Sequence, residues 1–180
     1  MIKTKKSLVK ADYGRVCGYA ATWTKEPDSY GDICRKGCFA ESLDRIKRKG
    51  KVLPLLYNHK SDSLFDYIGT IVKMVEDDHG LYFEAEFEDT PQAQQARKLA
   101  ISGRFAGCSF AYDVVEQGKV KLPDGRTANE LRRVNIHEIS LCLYPANRDT
   151  SITAVKAQNE AEKKRRALRR AKELLRELGE

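Results

Sequence analysis

The chain has 180 residues, 41% of them hydrophobic, and a formal net charge of +7. This is enough apolar content for one globular domain plus an appendage. No stretch approaches the roughly 18 apolar residues of a membrane span, and the opening Met-Ile-Lys-Thr-Lys-Lys lacks the apolar segment of a secretory signal, so neither a membrane partner nor export is expected.

In chain order, β-branched and aromatic residues fill 15–23, 52–59, 67–75, 81–88, 105–115 and 133–144 between turn signals. That pattern predicts an α+β, mainly β fold: a closed or strongly curved antiparallel β-barrel accompanied by a few helices. The first helix is predicted at 38–48, with Phe39, Leu43 and Ile46 on one stripe and Gly50 as its stop. The apolar run 52–58 reads as a buried strand with His59 at its end. Asp77-Asp78-His79-Gly80 marks a hairpin, because Leu81, Phe83, Ala85 and Phe87 alternate with Tyr82, Glu84, Glu86 and Glu88 at period two. His79 is therefore assigned to the turn. A second helix starts after Thr90, a natural cap, with Pro91 in the first turn, and runs to Gly103.

Next comes Gly-Arg-Phe-Ala-Gly-Cys-Ser-Phe-Ala-Tyr, residues 103 to 112. Gly107 clears space beside Ser109, a hydroxyl in an otherwise apolar strand. A serine needs a base to become a nucleophile, and the chain has three histidines: His59, His79 and His137. Residues 116–130 form a polar excursion containing Pro-Asp-Gly, read as a long hairpin tip. The phase of the apolar positions changes between Ile136 and Ile139, which predicts a β-bulge beside His137 and Glu138.

Residues 1–156 are expected to form the barrel domain and 157–180 a basic amphipathic helix with Ala167, Leu168, Ala171, Leu174, Leu175 and Leu178 on one stripe. That face is suited to a partner, to self-association or to docking on its own domain. Residues 156–180 hold nine Lys or Arg and five Glu, or +4 of the +7. The remaining charge is too small to mark the barrel as a nucleic-acid binder. Five cysteines without paired zinc-site spacing read as reduced, mostly buried thiols, so neither a metal nor a cofactor is expected.

Several stretches together resemble the prohead serine proteases of tailed bacteriophages. They are Gly18-Tyr19-Ala20, Asp28-Ser29-Tyr30-Gly31-Asp32, Gly37-Cys38-Phe39, Leu55-Leu56-Tyr57-Asn58-His59, Gly107-Cys108-Ser109-Phe110-Ala111-Tyr112, Glu138-Ile139-Ser140-Leu141 and Pro145-Ala146-Asn147. The resemblance implies a barrel similar to the herpesvirus maturation proteases, with Ser109 as nucleophile and His59 as general base. It also implies major capsid and scaffold proteins as substrates, self-cleavage, and action inside the assembling prohead in the host cytoplasm. Glu138 is the implied third member. His137 competes, because the herpesvirus enzymes use a second histidine; Glu138 is preferred because carboxylates orient the imidazole in most such triads.

Three positions depart from the pattern: Lys60 follows the histidine where an acidic residue is common, Cys108 precedes the serine where an aliphatic residue is usual, and Arg148 stands where proline is frequent. Alternation puts the Cys108 thiol on the face opposite Ser109. Arg148 is a candidate oxyanion donor through its side chain or amide. A competing function is a non-enzymatic capsid assembly factor built on the same barrel and helix.

Overall fold

The computed structural model describes residues 14–24, 26–105 and 107–156. Its longest strand, β7 (Thr127–Cys142), organises the rest. Its partner is β6 (Gly107–Lys121), which runs antiparallel to it along nearly its whole length. The turn between them closes with Leu122 N–H donating to the Arg126 carbonyl, and Gly125 takes the positive φ of 86° that this turn requires. The polar segment 116–130 is thus mostly ladder, with only its centre as the tip.

The other edge of β7 carries two short strands, β2 (Asp32–Cys34) and β3 (Pro54–Tyr57), both parallel to it. The expected all-antiparallel sheet is therefore corrected to a mixed one. The physical reason is the helix between these strands, α1 (Ala40–Arg48): a crossover returns the chain in the direction it left. The gap between β2 and β3 is also filled from this connection. Val134 N–H donates to the Cys38 carbonyl and Ile136 N–H to the hydroxyl of fully buried Ser42.

From β3 the sheet continues through β4 (Tyr67–Glu76), β5 (Gly80–Phe87), β1 (Arg15–Thr22) and β8 (Ser151–Lys156). The alternation read in 81–88 is observed, with Leu81, Phe83, Ala85 and Phe87 buried. Burying each large side chain contributes about 1.5–3 kcal/mol. Phe39, Leu55, Leu131, Ile139 and Leu141 complete the core. The second helix, α2 (Pro91–Ile101), is capped as expected by the Thr90 hydroxyl accepting from Ala93 N–H, and it turns Ala93, Ala96 and Ala100 inward.

The sheet curls into a half-barrel. Among the described residues, no ladder joins its two ends, β6 and β8. They meet where Cys108 N–H donates to Thr150 Oγ1 and the Cys108 thiol approaches the Ser151 carbonyl. On the far side of β8, a Cβ at Gly18 would lie 1.9 Å from the Ser151 carbonyl oxygen, so β1 must carry glycine there. The basic amphipathic helix expected at 157–180 lies outside the described residues. Among the described residues no helix is long and apolar enough to cross a membrane.

Candidate active site

His59 is delivered as expected, just beyond β3. The backbone turns there through two consecutive left-handed residues, Asn58 (φ 54°) and His59 (φ 60°). Such conformations cost about 1–3 kcal/mol each in a non-glycine residue and persist only where the surroundings over-determine them. Here Asn58 N–H donates to the Leu141 carbonyl, Lys60 N–H to the Tyr57 carbonyl, and His59 N–H to the Ser140 hydroxyl at 2.9 Å.

The bulge anticipated from the change of phase lies in β7. Ala111 pairs with Glu138 and Tyr112 with Ile136, which leaves His137 as the extra residue. Its exposed ring bonds the Asp113 carboxylate at 2.8 Å. Glu138 turns inward, 7% exposed, and its Oε1 lies 2.7 Å from His59 Nδ1. The other oxygen, Oε2, accepts from the Ser140 hydroxyl at 2.6 Å. The structure thus brings Glu138 to His59, and places His137 against Asp113.

Ser109 lies opposite Ser140 in the β6–β7 register and is half-buried. It lines, together with His59, an open groove of about 590 Å³ whose walls include Tyr30, Phe110, Tyr112, Tyr144 and Asn147. Cys108 is fully buried, and burial pushes its thiol pKa well above the usual value. A Cβ on Gly107 would come within 2.7 Å of Thr150 Oγ1 and 3.1 Å of Pro145 Cγ. The glycine thus makes room for the β6–β8 seam. Arg148 is exposed and lines a neighbouring cavity of about 440 Å³ with Glu26 and Asp149. His79 sits in the hairpin turn, its ring edge against Tyr19 and its carbonyl accepting from Trp23 N–H.

Two residues of the constellation escaped the sequence reading. Ser140 shares the strand face of Glu138, a signal that period-two alternation carried. Cys142 lies two residues further on, and its sulfur is 3.8 Å from His59 Nε2. The Cys142 sulfur and the Glu138 carboxylate together raise the imidazole pKa from 6.5 to about 10.

The Ser109 hydroxyl and the His59 imidazole thus line one groove, with the buried Glu138 carboxylate behind the imidazole. The chain belongs to the caudovirus prohead serine protease family, whose model matches residues 2–165. It is similar to the prohead protease of Enterobacteria phage HK97, with 30% identity over 141 residues. That alignment covers 78% of this chain and 59% of the relative, so the chain spans about three-fifths of the relative's length. Among solved structures it matches the KSHV protease in complex with a hexapeptide phosphonate inhibitor. The TM-score is 0.37 at 14% identity, covering 73% of this chain and 60% of that one.

Proposed function

We propose that the chain is a serine endopeptidase that cleaves scaffold and major capsid protein, and itself, inside the assembling prohead in the host cytoplasm. The observation that carries this reading is the Glu138–His59 pair opening on the groove lined by Ser109. In the proposed reaction the Ser109 oxygen attacks the scissile carbonyl carbon while His59 Nε2 takes the hydroxyl proton. The C–N bond then breaks, the imidazolium returns the proton to the leaving amine, and water releases the acyl group by the same route. Glu138 holds Nδ1–H, fixes the tautomer and stabilises the imidazolium. Residues 157–180 form, in this reading, an amphipathic segment that addresses the protein to the assembling shell.

The test is coexpression with the phage's major capsid protein, followed by intact mass measurement of both chains. Wild-type protein yields discrete capsid products and its own truncations, whereas Ser109→Ala and His59→Ala yield full-length chains. Full processing by Ser109→Ala refutes the assignment. Full-length mass with the wild-type protein as well supports an assembly factor instead.

A further inference from the structure

We infer that Ser140 is a positioning residue of this site, acting through both His59 and Glu138; the inference rests on the proteolytic reading above. Ser140 is fully buried, near the C-terminal end of β7. A hydroxyl in such a place needs partners, and both of its partners belong to the site. It donates to Glu138 Oε2 at 2.6 Å and accepts from the His59 backbone N–H at 2.9 Å.

The two bonds do different work. Glu138 ends in an sp³–sp² torsion, for which the rotamer wells are broad. With Oε2 held by the serine, Oε1 is left facing Nδ1 of His59. The second bond fixes the main chain of a histidine in left-handed backbone, at φ 60°. One oxygen atom therefore ties the backbone of the base to the carboxylate that orients its ring. Since Ser140 also stands opposite Ser109 across the β6–β7 ladder, the same strand position sets the spacing between the base's turn and the nucleophile's strand. Ser140 does not line the groove, so its influence on substrate passes through His59 and Glu138.

The experiment compares wild type, Ser109→Ala, Ser140→Ala, Ser140→Cys, Glu138→Gln and Ser140→Ala/Glu138→Gln on purified major capsid protein. Folding is verified by circular dichroism, and single-turnover rates are measured as a function of substrate concentration. Ser140→Ala is expected to lower the rate about 10- to 100-fold, the size of a lost hydrogen bond to a charged group, with half-saturation within about twofold of wild type, because no groove contact changes. In the Glu138→Gln background the same substitution costs several-fold less than in wild type, because its route through the carboxylate is already gone and only its bond to the His59 backbone N–H remains to be lost. Ser140→Cys preserves the packing but bonds weakly, and loses at least about tenfold; it carries the test if Ser140→Ala does not fold. A wild-type rate in folded Ser140→Ala or Ser140→Cys, or losses that multiply in the double variant, overturns the inference. Retained cleavage by Ser109→Ala overturns instead the serine-nucleophile assignment on which it rests, and absence of cleavage by wild type overturns the proteolytic reading.

Discussion

Replacing Glu138 by glutamine isolates the contribution of the carboxylate while preserving shape. The carboxylate receives two donors on its two oxygens, His59 Nδ1 at 2.7 Å and the Ser140 hydroxyl at 2.6 Å. An amide has one acceptor oxygen, so one donor must lose its partner, and the negative charge that stabilises the imidazolium is removed as well. Because Glu138 is 7% exposed, water cannot replace what is lost. In the serine-protease template, the matching carboxylate-to-amide change lowers kcat about 10⁴-fold. His59 is 41% exposed and so partly screened by solvent, which places the expectation at about 10³- to 10⁴-fold, or about 4–5 kcal/mol of barrier. KM is expected to stay within about threefold of wild type, since Glu138 does not line the groove. The assay is initial-rate cleavage of purified major capsid protein, followed by densitometry and mass spectrometry. His137→Ala is the control: its exposed pair with Asp113 should matter little, and its rate should stay within about threefold of wild type. A Glu138→Gln rate within tenfold of wild type, or a larger loss in His137→Ala, refutes the reasoning.

The raised His59 pKa has a signed consequence. The base must be neutral to accept a proton, so kcat/KM is expected to rise with pH through the alkaline range toward about 10. The stabilisation from the charged imidazole, facing Glu138 and Cys142 of β7, is fully present below 6.5 and is lost as pH rises through about 10. Cys142→Ala removes the largest cause of the shift and should move the pH–rate limb to lower pH; an unmoved limb contradicts that role for the sulfur. Gly107→Ala drives a Cβ to 2.7 Å from Thr150 Oγ1 and should cost about 1–3 kcal/mol, seen as a Tm lower by several degrees; an unchanged Tm counts against the tightness of the β6–β8 seam. Deleting residues 157–180 should leave peptide cleavage intact while reducing incorporation into assembling heads, and unchanged incorporation refutes an addressing role for that segment.

Much of the strand content was legible because a strand with one buried face must alternate. Leu81 to Phe87 show this in plain form, and the change of phase between Ile136 and Ile139 exposed the bulge for the same reason. The caps of α2 were legible because Thr90, Pro91 and Gly103 satisfy local backbone needs. The parallel strand β2 was not, because three residues are too few for a period. Nor was β8, whose place depends on the approach of its backbone to Gly18. Ser140 and Cys142 were hidden by their types, since a buried serine and a buried cysteine are ordinary core residues until a partner across the fold gives them another role.

By itself the sequence determined the parts: a serine in an apolar strand, three histidines, a carboxylate beside one of them, and the faces on which most strand residues lie. These follow from residue type and from the two-residue repeat of a strand, which are local properties. Only the tertiary structure decided which side chain meets His59 Nδ1. The bulge could have turned either His137 or Glu138 inward, and the pairing of β6 with β7 on one edge and β3 on the other directs Glu138 to the imidazole and His137 to Asp113.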